Sequence, residues 1–357
     1  MNDNDGIDAA LGERYYMNDK DTERRLAEEI TEIIRRFVGR RFEEGRCPAL
    51  RDAHAQDTGC VRAIFRVDSN IPLELQHGVF ATPGTEFHAW IRFSNGNSEV
   101  LSPRLPDARG MAVKLMGVDG PKLLDDERHT QDFVMANNPS FFVDDLLRYR
   151  NSLVKFHSGG YLRQFLAIPE LKLREIVRAF RVNGTWITNP LLSQYWSMTS
   201  FRLGVGAGRM AIKFSAKPCI EEWPSVGARI AKLVDPHFSL KKNLQDVLSS
   251  RDMKFDFFIQ RYVDHRTPVE DTLTEWKESV SPPLHMATII IPAQDVSSAA
   301  RGDLCENLSF NPWHCLAEHR PLGAVNRVRK TIYREMSQYR HDLNRAPLRE
   351  PAADEVA

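Results

Sequence analysis

A tyrosine and two arginines share one side of the helix that the sequence predicts near residue 330. On a wheel of about 100° per residue, Arg329, Tyr333 and Arg340 lie at the edge of an apolar stripe. The stripe consists of Val325, Val328, Ile332, Met336 and Tyr339. Arg329 and Tyr333 are four residues apart and can touch. A guanidinium there favours the phenolate that a tyrosinate metal ligand requires, against a free phenol pKa of about 10. The alternative is an ordinary core helix whose arginine stems reach solvent.

The segment Arg-Asp-Ala-His-Ala-Gln at 51–56 places His54 before a predicted strand that begins at Cys60. A neutral imidazole can take a proton from a substrate and return it to a departing group, because its ordinary pKa lies near physiological pH. Such a histidine needs a partner for its second ring nitrogen, and Ser94 is the candidate hydroxyl. The competing interpretation is that His54 has a purely structural role.

A third polar position ends an apolar run, Phe-Val-Met-Ala-Asn-Asn-Pro-Ser-Phe-Phe at 133–142. The amide of Asn137 would donate a hydrogen bond to a small ligand without changing the charge of the site. The aromatic pair that includes Phe141 would supply an apolar wall beside it. An asparagine at a strand end is also a common turn residue, and this interpretation stays open.

Hydrophobic periodicity predicts the elements that would position these residues. Helical spacing occurs at 20–44, between 143 and 250, and from Gly323 to Asn344. In the middle region, Pro169 separates a segment at 162–166 from one at 173–180. Several β-rich runs alternate apolar and polar residues, as strands with one wet face do. The β-rich runs are Cys60–Val67, Phe87–Phe93, Met111–Met116, Phe133–Ala136, Met210–Phe214, Phe255–Val263 and Ala287–Ile291. We predict an α+β fold with an antiparallel closed β-barrel core and inserted and appended helices.

The composition is that of an ordinary globular protein of 357 residues, 42% hydrophobic and 27% charged. We predict a helical arm at 1–45, a single domain at 46–345 and a flexible tail at 346–357. Lys+Arg and Asp+Glu both total 48, and this balance disfavours nucleic acid or an anionic membrane as the main partner. Five cysteines without a C-x-x-C pair, a polar N-terminus and no long apolar run predict a cytoplasmic protein without a membrane span.

In order and spacing, these segments resemble the catalases. R-D-A-H-A at 51–55 resembles the catalase segment R-V-V-H-A, I-R-F-S at 91–94 resembles V-R-F-S, and D-A-R-G-M-A-V-K at 107–114 resembles D-P-R-G-F-A-V-K. The run at 133–142 resembles the segment that carries the family's distal asparagine. Arg329-x-x-x-Tyr333 resembles its proximal motif, and F-N-P-W-H-C-L-A-E-H-R-P-L-G at 310–323 is similar to short bacterial catalase-related haem proteins.

The resemblance implies a haem b cofactor held in a catalase-like haem-binding domain. Tyr333 would be the axial iron ligand, with Arg329 stabilising its phenolate. His54 would be the distal acid–base residue on the opposite face of the haem, with Ser94 and Asn137 as its partners.

Further residues would contact the cofactor or its access route. Arg51, Arg92 and Arg340 would pair with the haem propionates, and Phe141 would line the haem. Asp107 would match an acidic residue of the substrate channel, with a solvated loop carboxylate as the alternative.

The implied activity is that of a haem-dependent catalase or peroxidase acting on hydrogen peroxide or an organic hydroperoxide, with an organic reductant as a further partner. One alternative is a fatty-acid hydroperoxide enzyme resembling allene oxide synthases. Those typically have Thr before the distal histidine, where this chain has Ala53. Another alternative is a non-catalytic haem protein, which would need neither His54 nor Asn137. The chain is shorter than full catalases, so we expect wider access to the haem. The reductant and assembly into a homo-oligomer stay open.

Overall fold

A computed structural model describes residues 6–157, 172–221 and 223–352. Within these residues the chain forms nine strands and seven α-helices. The strands are β1 (Asp57–Val67), β2 (Glu86–Asn95), β3 (Arg109–Met116), β4 (Thr130–Ala136), β5 (Tyr195–Trp196), β6 (Phe201–Leu203), β7 (Met210–Pro218), β8 (Met253–Arg261) and β9 (Leu284–Ile291). The helices are α1 (Lys20–Glu43), α2 (Leu146–Phe156), α3 (Leu173–Asn183), α4 (Val226–Val234), α5 (Leu240–Leu248), α6 (Ala299–Asn307) and α7 (Ala324–Asn344).

Eight of the strands close into an antiparallel barrel in the order β5-β4-β3-β2-β1-β9-β8-β7. The short strand β5 closes the ring, because Trp196 lies opposite Ala136 of β4 and also opposite Ser215 of β7. Strand β6 pairs with β7 as a ninth strand. The predicted α+β class and closed barrel are confirmed. The prediction missed β5 and β6, since two or three residues are too few to show a period.

Alternate residues of the long strands fill the barrel, as the two-residue period of a strand requires. Phe133 lies near the centre of this packing. Its ring centroid is 4.9 to 5.8 Å from those of Phe65, Phe214 and Phe257. Aromatic pairs of this kind add about 0.5–1.5 kcal/mol each beyond their burial. The barrel is therefore a packed and rigid support for the residues on its outer face.

The outer face of β2 carries polar side chains that other segments cover. Arg92 and Ser94 alternate with the inward residues Ile91 and Phe93, yet they are only 3% and 4% exposed. The wet outer face that alternation indicates for several strands is therefore not present on β2. The loop that contains His54 and the end of α6 lie over it and exclude water.

Three helices pack together beside the barrel. Helix α1 packs along α7 and also contacts α2. Their shared apolar cluster includes Leu26, Ile30, Ile34, Leu146, Leu153, Val325, Val328 and Ile332. Helix α7 begins after Gly323, whose φ of +89° favours glycine. The predicted bounds of α1 and α7 agree with the structure to within one residue at each end.

Part of the predicted tail at 346–357 contacts another segment of the chain. Glu350 accepts hydrogen bonds from the backbone nitrogens of Arg128 and His129 at 2.9 and 2.5 Å, so part of the predicted tail contacts the β3–β4 connection. The predicted helical segment at 162–166, with Pro169, lies outside the described residues. Among the residues that the structure describes, no helix combines the length and the apolar character needed to cross a bilayer.

Candidate functional site

His54 lies between α1 and β1 in a backbone conformation that side chains rarely adopt. Its φ is +59°, which costs on the order of 1 kcal/mol for a residue other than glycine. Two hydrogen bonds hold it there. The backbone nitrogen of His54 donates to the carbonyl of Gly96 at 3.1 Å, and Arg92 Nη2 donates to the carbonyl of His54 at 2.9 Å. Strain held in this way is typical of functional sites.

The imidazole of His54 is oriented by the barrel strands beneath it. Its Nδ1 lies 3.1 Å from Ser94 Oγ on β2, which is the contact that the sequence analysis required. Gly110 lies opposite Ser94 on β3. A Cβ atom at Gly110 would lie 2.6 Å from both His54 Nδ1 and Ser94 Oγ. No role for Gly110 was predicted from its sequence, although a glycine inside a strand often marks a close approach.

The electrostatic surroundings keep His54 neutral. Burial, together with the charges of Arg92 and Arg329, lowers the pKa of His54 to about 4. At neutral pH the ring therefore has one nitrogen available as a base.

Asn137 directly follows β4, as predicted, and its side chain is held at one end. Arg109 donates its backbone N–H to Asn137 Oδ1 at 2.7 Å, while Asn137 donates its own N–H to the Arg109 carbonyl at 2.9 Å. Its Nδ2 is buried and has no hydrogen-bond partner among the described residues. A buried donor of this kind requires an acceptor, so the geometry fits a small polar ligand.

Asp107 supports the loop that holds His54. It is buried and accepts hydrogen bonds from the backbone nitrogens of Gly96 and Asn97 at 3.0 and 3.1 Å. It also forms an ion pair with Arg109 at 3.3 Å. The alternative of a solvated loop carboxylate is therefore wrong.

Arg329 and Tyr333 form the pair predicted from the helical wheel. Arg329 Nη2 donates to Tyr333 Oη at 3.1 Å, and its Nη1 donates to Asn326 Oδ1 at 3.0 Å. The guanidinium carbon also lies 5.1 Å from the centroid of the Tyr333 ring. Arg329 is buried, so its side chain is part of the site and does not extend to solvent.

The three arginines predicted to bind propionates converge, and they do so around a carboxylate that the sequence analysis missed. Glu306 Oε2 lies 2.9 Å from Arg51 Nη1 and 4.0 Å from Arg92 Nη2, and its Oε1 lies 3.2 Å from Arg340 Nη1. Burial and the charge of Arg51 lower the pKa of Arg340 to about 9. Three guanidinium groups facing one carboxylate leave an excess of two positive charges, which suits an anionic ligand.

Phe141 lies on the helical side of the site. Its ring centroid is 4.6 Å from that of Phe142 and 6.0 Å from that of Tyr149. Phe141, Tyr149 and Tyr333 all pack against the cluster formed by α1, α2 and α7. The aromatic wall predicted from the sequence is therefore next to the Tyr333 helix.

A second group of buried charges lies on the outer side of β3 and β4. Lys114 Nζ contacts Glu127 and lies 2.8 Å from Asp132. His314 Nδ1 lies 3.0 Å from Asp132 and 3.2 Å from Glu127, and its Nε2 lies 3.1 Å from Asp126. The carboxylates and the imidazole have metal-ligand types and spacing. Because the ammonium of Lys114 already lies among them, the group is a buried ion-pair network.

The fold is similar to that of solved catalases. A fungal catalase matches 88% of this chain with a TM-score of 0.67 at 16% identity, and a bacterial catalase matches 88% with a TM-score of 0.66 at 14% identity. Catalase A from Saccharomyces cerevisiae also gives 0.66 at 16% identity. The chain spans 64%, 63% and 66% of the lengths of these proteins, respectively. No protein-family model and no curated protein sequence matches this chain. The three structural matches therefore show that the chain has a catalase-like fold.

Proposed function

We propose that this chain binds haem b through Tyr333 and uses His54 to metabolise peroxide, as a catalase or peroxidase does. One observation carries the proposal. His54 Nδ1 lies 3.1 Å from Ser94 Oγ, and Arg329, whose charge helps to lower the pKa of His54, donates a hydrogen bond to Tyr333 Oη. The catalase-like fold supports this assignment. The cytoplasmic location stays a prediction from composition.

The side chains present fit haem. Tyr333 would hold the haem iron, and the excess of two positive charges around Glu306 would match the two carboxylates of the cofactor. Charged groups at a buried site are stable when their charges are balanced. The unpartnered Nδ2 of Asn137 supplies a donor that nothing else in the described chain uses.

The chain's own residues would manage the proton and the orientation of the peroxide. Bound haem would supply the redox chemistry that cleaves the oxygen–oxygen bond. His54, with Nδ1 donating to Ser94, would take the peroxide proton at Nε2 and return it to the departing oxygen. Asn137 would orient the peroxide by donating from Nδ2. An uncharged donor leaves the neutral state of His54 undisturbed.

Hydrogen peroxide is the substrate that we favour over a lipid hydroperoxide. The residue before His54 is Ala53, which is exposed and whose side chain has no hydrogen-bond donor. A site that binds a fatty-acid hydroperoxide would gain affinity from a hydrogen-bond donor at this position. Proteins of the allene oxide synthase type, which the sequence analysis considered, typically have one there.

The test is to load the protein with haem, record its absorption spectrum, and measure oxygen release from hydrogen peroxide and turnover of a fatty-acid hydroperoxide. We expect Tyr333→Phe to change the ferric spectrum, while Tyr339→Phe on the same helix leaves it unchanged. We expect His54→Ala to keep haem and lose oxygen release about a hundredfold or more, while His129→Ala, an exposed histidine, retains it.

Each contrary result has a distinct meaning. An unchanged spectrum in Tyr333→Phe would reject the axial ligand. Turnover of the lipid hydroperoxide alone would favour the alternative enzyme. Haem binding without turnover of either peroxide would leave the non-catalytic alternative.

A further inference from the structure

A cationic groove lies on the surface beside α7, with a volume of about 660 Å³. Its lining includes Lys122, Arg128, Lys330 and Arg334, with Leu123 and Leu124 as its apolar part. The sequence as a whole has no net charge, so four basic side chains in one groove are a local concentration of positive charge. Such a surface attracts anions.

The carboxylates near the groove offset only part of this charge. Asp125 pairs with Arg334 at 3.1 Å. Asp119 pairs with His129 at 2.9 Å, and Glu350 accepts from the backbone nitrogens of Arg128 and His129. Among the residues that the structure describes, the groove lining contains one acidic residue, Asp125, against the four basic ones.

One amine of the groove lacks a partner. Lys122 Nζ is buried and has no hydrogen-bond partner among the residues described. Burial lowers the pKa of Lys122 to about 8, so the amine is still mostly protonated at neutral pH. An ammonium group in such a position is stabilised by an anion that accepts its hydrogen bonds.

A buried tryptophan lies under the groove. Trp313 packs with Leu123 and Leu124, and it is 2% exposed. Lys330 Nζ lies 4.9 Å from the centroid of its ring. Only the side chains that line the groove would therefore lie between the Trp313 ring and a bound ligand.

Hydrogen bonds connect this tryptophan to the proposed axial ligand. Trp313 Nε1 donates to the carbonyl of Asn326 at 2.7 Å, and Asn326 Oδ1 accepts from Arg329 at 3.0 Å. Arg329 in turn donates to Tyr333 Oη at 3.1 Å. At about 100° per residue, Lys330 lies about 100° around α7 from Arg329, and Arg334 lies about 100° from Tyr333. Trp313 therefore contacts both sides of the helix, through Lys330 and through Asn326.

We propose that the groove binds an anionic aromatic electron donor. Trp313 would accept electrons from this donor and pass them toward the Tyr333 side of α7. This inference rests on the proposed peroxide-metabolising function and identifies its reductant class. Reduction of one hydrogen peroxide to two waters consumes two electrons and two protons. Two donor molecules would each lose one electron, and the protons would come from the donors or from solvent. Trp313 would lose and regain an electron in each transfer, so it is not consumed.

Binding is tested first, without peroxide, by equilibrium dialysis of the haem-loaded protein with the bis-sulfonated dye ABTS. We expect binding that weakens with added salt and a roughly tenfold lower affinity in the double variant Lys330→Gln, Arg334→Gln. The matched control, Lys241→Gln with Arg251→Gln, removes two exposed charges elsewhere and should bind as the parent does. Equal affinity in both double variants would overturn the groove assignment.

The relay is tested by the ratio of ABTS oxidation to oxygen release. We expect Trp313→Phe to lower this ratio about tenfold, with ABTS affinity retained. Trp276→Phe is the matched control, since Trp276 is also buried, lies under a lysine and donates to a carbonyl. An unchanged ratio in Trp313→Phe would overturn the relay.

The two levels of the proposal fail in different ways. A parent protein that binds ABTS in the groove but consumes no peroxide would contradict the proposed function and the donor role, and would leave an anion site. A parent protein that consumes peroxide and oxidises the neutral donor guaiacol, but does not bind ABTS, would contradict this inference alone.

Discussion

The Nδ1 atom of His54 lies 3.1 Å from the Oγ atom of Ser94, across 40 residues of sequence. This contact orients the imidazole ring, and a proton on Nδ1 directed at Ser94 would leave Nε2 as the nitrogen that accepts a proton. We expect Ser94→Ala to reduce peroxide turnover about fivefold, because a hydrogen bond of this kind contributes about 1 kcal/mol. The measurement is steady-state oxygen release at equal haem content. Ser250→Ala, an exposed serine, serves as the control, and equal rates in both variants would reject the role of Ser94.

Gly110 limits what can lie beneath this pair. A Cβ atom at this position would approach His54 Nδ1 and Ser94 Oγ to 2.6 Å, so Gly110→Ala must displace one of them. We expect turnover to fall more than tenfold and the free energy of unfolding to fall by about 1–3 kcal/mol. Gly208→Ala, where the added Cβ meets nothing within 4 Å, should change neither quantity. Full activity in Gly110→Ala would show that the ring position is not critical.

Much of the site could be predicted because local periodicity determines which side of an element a residue takes. The four-residue spacing of Arg329 and Tyr333 puts them on one side of a helix. The two-residue spacing of Arg92 and Ser94 puts them on one face of a strand. The resemblance of the segments at 51–55 and 91–94 to catalase segments implied a contact between Ser94 and His54. The structure contains this contact.

The remainder depends on packing between distant segments. Glu306 lies on α6, a nine-residue helix without a clear apolar stripe in its sequence. Only the folded chain brings its carboxylate to Arg51 and Arg340. Closure of the barrel likewise rests on β5, whose two residues carry no periodic signal. The coverage of the outer face of β2 also depends on such packing, because a strand pattern does not reveal what lies over its outer side.

Glu306 is the counter-ion of the arginine cluster. Its removal should therefore make the stability of the protein depend more on an added anion. We expect Glu306→Gln to lower the unfolding free energy of haem-free protein by about 1–3 kcal/mol. Two haem carboxylates would then restore part of the lost compensation. The rise in Tm on adding haem should therefore be larger in Glu306→Gln than in the parent. Asp303→Asn, exposed on the same helix, is the control, and a smaller haem-induced rise in Glu306→Gln would contradict the charge argument.

The pH dependence of turnover follows from the low pKa of His54. Burial and Arg92 lower it to about 4, so the neutral base persists throughout the neutral range. We expect kcat/KM to be flat from about pH 9 to about pH 6 and to fall to half near pH 4. Because the folded pKa lies below the ordinary value of about 6.5, this residue's contribution to stability is also lost as the pH falls from about 6.5 to about 4. A kinetic midpoint near pH 6.5 would contradict this assignment.

His314 should have the opposite effect on stability. Burial opposes its protonation, but hydrogen bonds to Asp126, Asp132 and Glu127 raise the pKa of His314 well above its ordinary value. Its contribution to stability is therefore fully present below about pH 6.5 and is lost as the pH rises through the raised folded pKa.

Removing this imidazole leaves buried carboxylates with less compensation. We expect His314→Gln to lower the free energy of unfolding by about 3 kcal/mol near pH 6, and the difference from the parent to shrink as the pH rises. Urea unfolding at about pH 6, 7.5 and 9 measures it. His129→Gln removes an exposed histidine that also faces a carboxylate, and its difference from the parent should be small throughout. A difference for His314→Gln that grows with pH would mean that the imidazole is neutral in the folded protein. The positive charge of the network would then come from Lys114 alone.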